Sequence, residues 1–440
     1  MAALINQNIQ SSFFIISLCF ALMSAFQTEY VLTALYLFLF FLSFASSMMA
    51  LLFFFFCAIL NILNADVLSI PVMKVEPVLQ MIVCFFCIFR LYLSNKINVN
   101  KFIAITFMFF ASYLLVHSLF ISKMPILSLL KSASFIFIAS SIYLSFESLD
   151  NKETQDFLGI FFWILLFLII ISLLGFILGF GYEVNGTGFQ GILNHPQTMG
   201  LFSGAVFMFC LYLLSLNKDF YGNALIIFIA FLTLILVFVS ESRTGLLMIL
   251  LPCSMAIIYY SKLLFNSFAF FMTSIFFLLT AVLLINFYMD EFIAYIVKGS
   301  GSDNFADIAM SSRGPLFLAM WNNIVLNPIL GIGFGVPTDD IFFNIEDASS
   351  FAGIIISYPN EKGILFFAIL EEVGLIGLIF FIMLLVFSLY QAFKRNILGA
   401  MLGLSIISSN ITEATFTSFG GAGLILFIFF SVGVMSLRKN

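Results

Sequence analysis

The stretch Phe157–Phe180, FLGIFFWILLFLIIISLLGFILGF, decides the fold class of this chain. It carries no charged residue, and as a helix it is long enough to cross the hydrocarbon core of a bilayer. Similar apolar runs recur along the chain, which is 63% hydrophobic and only 9% charged. A soluble protein has roughly a quarter charged residues, and a membrane β-barrel shows segments of alternating hydrophobicity. The sequence therefore predicts an all-α, polytopic transmembrane helical bundle.

The apolar runs predict about 12 to 14 spans within a single integral membrane domain, residues 1–440. The first run lacks a basic n-region and a cleavage site, so we interpret it as a retained span. All six cysteines fall inside apolar runs, which argues against a disulfide framework or a zinc site. The predicted spans are 12–28, 30–46, 48–64, 75–93, 102–120, 126–146, 157–180, 197–215, 222–240, 244–260, 263–287, 362–392, 397–412 and 419–437.

The distribution of basic residues predicts the orientation of these spans. With the N-terminus inside, more than half of the 17 lysines and arginines fall in short inner connections, as the positive-inside rule requires. This orientation places the turn 181–196, the turn Ser240–Gly245 (SESRTG) and one large loop, 288–361, on the outer face. Loops of this length in compact proteins are usually functional or disordered.

The outer loop contains its own helix signal, SSRGPLFLAMWNNIVLNP, from Ser311 to Pro328. Leu316, Met320 and Ile324 are spaced four apart and predict one apolar stripe on an amphipathic helix. Such a helix either lies along the membrane surface or packs on the bundle. Arg313 stands at its N-terminus, where free N–H groups and a cation together suit an external anion such as phosphate.

Two further features follow this helix. The glycine-rich stretch GIGFGV, from Gly331 to Val336, permits tight turns and close backbone approach. Glu371 and Glu372 then lie inside an apolar run, where a carboxylate faces a cavity or a partner by default. Glu361 and Glu372 are close to three helical turns apart, which predicts that they share one helix face.

The order of these motifs carries a resemblance. GILNHPQTMG, ESRTG, the loop SSRGPLFLAMWNNIVLNPILGIGFG and ILEEVGLIGL occur in sequence across roughly residues 180–415. Together they resemble the O-antigen polymerase and ligase superfamily of polytopic membrane glycosyltransferases. The resemblance implies a GT-C-like fold and a location in the bacterial inner membrane, with the active site facing the periplasm.

The resemblance also implies a reaction. The family transfers glycan from undecaprenyl diphosphate, and polymerases extend the chain on its carrier whereas ligases attach it to lipid A core. The ligase histidine falls on the position of Gly363, and the large loop contains no histidine. This departure favours a polymerase of lipid-linked repeat units, with O-antigen ligase as the alternative and a flippase or transporter as the alternative of a different class.

Such a transfer needs cations for the departing diphosphate. The chain has no D-x-D motif or His/Asp metal cluster, so we predict no metal and no cofactor, and assign this role to Arg243 and Arg313. Glu361 is the candidate base for the acceptor hydroxyl. His195 is also a candidate base; we assign it, with Asn194, to substrate binding beside Arg243, and a capping imidazole is the alternative for His195.

Glu372 either binds substrate or holds an arginine in place, and we place it among the substrate-binding residues. Lys362 is interpreted as a steering or surface charge. The expected partners are an undecaprenyl-diphosphate-linked oligosaccharide, the lipid bilayer and a chain-length regulator protein, without nucleic acid. A transporter would usually show two similar halves, and the sequence shows no such repeat.

Overall fold

The computed structural model describes thirteen helices and one short pair of antiparallel β-strands in ten stretches of the chain. The described residues are 29–64, 76–94, 100–182, 188–216, 220–264, 314–338, 349–351, 354–357, 362–411 and 413–435. The elements are α1 Glu29–Ser43, α2 Ser47–Ile62, α3 Glu76–Ser94, α4 Lys101–Phe120, α5 Pro125–Ser148, α6 Asn151–Leu178, α7 Pro196–Leu216, α8 Phe220–Val239, α9 Arg243–Leu264, α10 Gly314–Leu326, β1 Ser349–Phe351, β2 Ile354–Ser357, α11 Leu365–Arg395, α12 Ile397–Ser409 and α13 Gly423–Val434.

The predicted all-α polytopic architecture is confirmed. Within the described stretches, seven helices are long and apolar enough to cross a membrane, and several shorter apolar helices accompany them. Helices occupy twelve of the fourteen predicted spans. The other two, 12–28 and nearly all of 263–287, lie outside the described residues. The named strands of the described part form one antiparallel pair, β1–β2 of the large loop, in which Phe351 pairs with Ile354.

Helix α7 lies at the centre of the bundle and is the most buried of the seven long helices. It packs against α8, α9 and α12. Close approach to α9 depends on Gly200, where an added Cβ would lie 2.0 Å from the Cβ of Ser242. Phenylalanine fills much of the surrounding core, for example in the contacts of Phe161 with Phe55, Phe209 and Phe429.

Polar turns from several helices meet at one end of the bundle. We call this end the site end and define it by the turns 63–64, 121–124, 188–195, 240–242, 410–411 and 413–418. Backbone hydrogen bonds connect these turns to one another and to the large loop: Asn64 N to Ile192 O at 3.1 Å, Phe189 N to Val239 O at 3.1 Å, Leu365 N to Asn410 O at 3.0 Å and Lys123 N to Ile332 O at 2.9 Å.

The opposite end carries contacts of a different kind. Arg395 at the end of α11 pairs with Glu147 of α5 at 3.5 Å, and the Asn396 amide donates to the Ser215 hydroxyl at 2.9 Å. The turns therefore alternate between two ends, as a bundle of consecutive spans requires. This arrangement is consistent with the alternation that the basic residues predicted.

Candidate active site at the site end of the bundle

The Asn-His-Pro turn is fixed by its backbone and its side chains. Asn194 N donates to Ile62 O at 2.9 Å, and its side-chain amide donates to Asn61 O at 3.5 Å. Its Oδ1 atom is buried and has no hydrogen-bond partner among the residues that the structure describes. His195 Nδ1 accepts from Gln197 N at 3.1 Å, so the neutral ring carries its proton on Nε2. Nδ1 of His195 therefore acts as a cap, as the alternative interpretation proposed. Substrate binding by Asn194 and His195 stays a prediction.

The turn that carries Arg243 lies beside the start of α7. Arg243 is the first residue of α9, and its side chain is exposed. Ser242 caps this helix, because its hydroxyl accepts from Gly245 N at 3.2 Å. Gly245 in turn packs on the backbone of Gly200 in α7. The Asn-His-Pro turn and the SESRTG turn therefore both lie at the site end. The exposed guanidinium of Arg243 stands there at the N-terminus of α9.

A further contact connects α7 to the segment between α12 and α13. The Gln197 amide donates to the carboxylate of Glu413, which is nearly buried. Asn410, four residues after Ile406, donates to its carbonyl at 2.8 Å and accepts from Thr415 N and Phe416 N, both at 2.9 Å. This segment therefore holds a fixed shape between α7 and the start of α11.

Glu371 is the centre of a buried cluster that the sequence did not reveal. Its side chain is fully buried. Its Oε1 accepts from the Asn323 amide of α10 at 2.8 Å, and its Oε2 accepts from Lys362 Nζ at 2.8 Å and from Thr338 Oγ1 at 3.2 Å. The carboxylate therefore joins the large loop to α11.

Glu372 completes this cluster from the neighbouring position. Its Oε1 lies 3.0 Å from Lys362 Nζ, and its Oε2 accepts from Gly335 N at 2.8 Å. Gly335 has a φ of +68°, and an added Cβ there would lie 2.2 Å from Lys131 Cδ. One interpretation of Glu372 was that it holds an arginine in place. Among the described residues, the cation that pairs with it is instead Lys362. The role of Glu372 in substrate binding stays a prediction.

Lys362 is the member of the cluster that the sequence analysis did not identify. Its interpretation as a steering or surface charge is wrong. Only 4% of the residue is exposed. Burial by itself would lower the pKa of its ammonium group, but the adjacent carboxylates of Glu372 and Glu371 outweigh that effect and raise the pKa. Lys362 is therefore protonated at neutral pH and pairs with both carboxylates.

The helix that carries the two glutamates is broken directly after them. Gly374 has φ +67° and ψ −172° within α11, a conformation that L side chains rarely adopt. An added Cβ at Gly374 would lie 2.1 Å from the carbonyl oxygen of Ile329. The close backbone approach that the glycine-rich stretch predicted is confirmed: Ile332 N and Gly333 N donate to the carbonyls of Glu371 and Glu372 at 2.9 and 2.8 Å.

Two of the three predicted catalytic residues are not placed. Arg313 and Glu361 lie outside the described residues. Helix α11 begins at Leu365, after a non-helical Ile364, so the continuous helix that would put Glu361 and Glu372 on one face is not formed. In the part of the chain that the structure describes, no three His, Cys, Asp or Glu side chains are grouped as a metal site.

The predicted amphipathic helix of the loop is confirmed as α10. Met320 and Ile324 are buried and Leu316 is partly buried, which is the stripe that their spacing predicted. The structure also shows Asn323 on this side of the helix, in contact with Glu371. The stripe could be read from the sequence, whereas the role of Asn323 could not.

Comparison with known families gives one matching family model. A family model described as O-Antigen ligase matches residues 228–382, which is 155 of the 440 residues. The match includes Arg243, α10, the glycine-rich stretch and the glutamate pair. No curated protein sequence matches the chain. Residues 228–382 are therefore similar to the O-antigen ligase family, and the resemblance to the O-antigen polymerase and ligase superfamily is confirmed over that segment.

Proposed function

We propose that the protein is a polymerase of lipid-linked polysaccharide repeat units. It would transfer the growing glycan from undecaprenyl diphosphate to the next lipid-linked repeat unit, on the periplasmic face of the bacterial inner membrane. The observation that carries the proposal is the family match over residues 228–382, because this segment includes Arg243 and the loop that meets the other polar turns at the site end. A chain-length regulator protein is part of the same proposal.

The chemistry assigns one task to each predicted residue. The acceptor hydroxyl oxygen forms a bond to the anomeric carbon of the donor sugar, and its proton passes to Glu361. The bond between that carbon and the diphosphate oxygen breaks, and the electron pair stays on the diphosphate. Arg243 and Arg313 stabilise this charge, since a guanidinium binds phosphate oxygens in a bidentate manner. Glu361 directly precedes Lys362, so this base would lie one residue from the buried cluster.

The choice of polymerase over ligase depends on Gly363. The resemblance places the ligase histidine at this position, and glycine can neither accept a proton nor bind a leaving group. Gly363 lies between Lys362 and the start of α11 and has a φ of +67°. A ligase would therefore need a base from another part of the chain, whereas the polymerase proposal already names Glu361.

Purified protein is expected to lengthen lipid-linked oligosaccharide without any added acceptor lipid. The measurement is the chain-length distribution after incubation with undecaprenyl-diphosphate-linked repeat units in vesicles. Transfer only to lipid A core would identify a ligase, and movement of unchanged substrate across the membrane would identify a transporter.

In cells, loss of a polymerase should leave lipid A core with a single repeat unit, whereas loss of a ligase should leave bare core.

Transfer is expected to survive chelation by EDTA, because fixed arginines stand in the proposal where a metal would otherwise be needed. The measurement is chain lengthening by the purified protein after chelation, compared with the untreated enzyme. Abolition of transfer by EDTA, followed by rescue with magnesium or manganese, would contradict metal independence.

The site end is expected to face the periplasm. Ser418 and Lys152 are both exposed and lie at the site end and at the start of α6, respectively. Ser418→Cys should react with an impermeant maleimide in intact cells, whereas Lys152→Cys should react only after the membrane is opened. The parent protein controls for the native cysteines. Labelling of both variants from the same side, or the reverse pattern, would contradict this orientation.

A further inference from the structure

Helix α10 descends along α11 from the site end. Ring contacts place Phe317 5.0 Å from Phe367, two residues after α11 begins. Six residues further along α10, the Asn323 amide reaches Glu371. Both helices therefore run in the same direction, away from the site end, and α10 does not cross the top of the bundle.

The chain then turns at the break in α11 and returns. Leu375 N donates to Pro328 O at 2.9 Å and Ile376 N to Ile329 O at 3.4 Å, whereas Ile332 N donates back to Glu371 O at 2.9 Å. Along residues 328–333 the backbone thus runs from the level of Ile376 back to the level of Glu371. Ile329 and Leu330 form the lowest point of this turn.

Contacts with α4 show how far the turn reaches below the site end. His117 Nε2 donates to the carbonyl of Leu330, and Tyr113 Oη donates to Val373 O at 2.8 Å. His117 and Tyr113 precede Phe120, the last residue of α4, by three and seven positions. At 1.5 Å per residue, the contact with Leu330 of the turn lies about 5 Å inside the end of α4, and the contact with Val373, directly before the break in α11, lies about 10 Å inside it.

The outward side of this segment is apolar. The exposed fractions are 47% for Trp321, 61% for Val325, 74% for Leu326 and 58% for Ile329. At the same level, exposed apolar side chains of the two neighbouring spans continue the surface: Val116, Leu119 and Phe120 on α4, and Leu375 and Ile379 on α11. An apolar surface of this kind on neighbouring spans faces lipid.

We propose that residues 314–333 form a re-entrant segment whose exposed apolar face contacts the acyl chains of the bilayer leaflet at the site end. Non-helical backbone is tolerated at membrane depth only where protein groups satisfy its hydrogen bonds. The turn meets this condition, because it exchanges hydrogen bonds with α11, His117 and Lys123. The inference concerns lipid contact only and holds whether or not the protein transfers glycan.

The two tryptophans of the chain provide the test. Trp163→Phe leaves Trp321 as the only tryptophan, and Trp321→Phe leaves Trp163, in the span α6, as the control. Each variant is reconstituted in phosphatidylcholine vesicles with and without bromine on the acyl chains. We expect brominated lipid to reduce the emission of Trp321 to an extent comparable with Trp163, and aqueous acrylamide to have little effect on either.

A depth series separates a descending helix from one that lies flat. In a tryptophan-free background, Leu326→Trp should be quenched by deeper bromines than Leu318→Trp, whereas equal depths would contradict the descent. Quenching of Trp321 by acrylamide and not by brominated lipid would overturn the proposal, as would quenching by neither. If the tryptophan-free background does not fold, a nitroxide on Leu326→Cys supplies the answer, and collisions with oxygen should exceed those with a water-soluble nickel chelate.

Discussion

Replacement of Lys362 by methionine is expected to lower the free energy of unfolding by about 3–5 kcal/mol, because removing one partner of a buried ion pair leaves uncompensated buried charge. Here two carboxylates, Glu371 and Glu372, would lose the same cation. The measurement is the thermal unfolding of the purified protein in detergent. Lys123→Met is the matched control, since this lysine is exposed at the same end of the bundle and its loss should leave the transition almost unchanged.

A neutral version of the cluster separates charge from packing. Lys362→Met combined with Glu371→Gln and Glu372→Gln should recover much of the lost stability, because replacing all members of a buried ionic group is far less damaging than removing one. If the triple variant is as unstable as Lys362→Met, uncompensated charge is not the cause. Normal activity of a folded triple variant would contradict the predicted substrate-binding role of Glu372.

The same cluster determines the sign of any pH dependence from Lys362. Its pKa in the folded protein is raised above the ordinary lysine value. The stabilisation is therefore fully present below the unfolded pKa, about 10.4 for lysine, and is lost as the pH rises through the folded pKa. Lys362 consequently contributes no change in stability between pH 6 and 9, and the thermal comparisons can be made across that range.

The helical architecture could be predicted from the sequence because membrane spans depend on local composition. Runs such as Phe157–Phe180 need no distant partner to be helical in a bilayer, and α6 formed there. The stripe on α10 was readable for the same reason, since Leu316, Met320 and Ile324 share a face through spacing alone.

The cluster could not be predicted in this way, because its members meet only through tertiary structure. Lys362 stands at the boundary of a loop and an apolar helix, where lysines commonly extend towards water. It is buried instead because α11 breaks at Gly374 and accepts the segment 328–333. An isolated glycine within an apolar run gives no sign of a positive φ, which here depends on a segment distant in sequence.

Replacement of Arg243 or Arg313 by alanine is expected to reduce glycan transfer by about 10²–10³-fold, by analogy with the removal of one donor that stabilises a developing oxyanion. Arg243 is exposed at the first position of α9 at the site end, where free N–H groups also favour an anion. Arg313 directly precedes Gly314, the first residue of α10. The measurement is chain lengthening by each purified variant, with membrane abundance checked.

Conservative variants test whether the guanidinium itself is needed. Arg243→Lys keeps the charge but loses the planar pair of donors, so it should recover only part of the activity. Lys123→Ala is the control for a general loss of positive charge at the site end, and its rate should stay within about fivefold because exposed charges contribute roughly 0–1 kcal/mol.

The rival interpretation makes a different quantitative prediction. An arginine that only touches head groups or solvent would behave like Lys123, and its alanine variant would keep a nearly normal rate. Loss at Arg243 alone would restrict the diphosphate contact to the α9 N-terminus and would leave Arg313 with a role in the loop. Normal chain synthesis by both alanine variants, at normal abundance, would show that another group stabilises the leaving diphosphate, and the two-arginine mechanism would then be wrong.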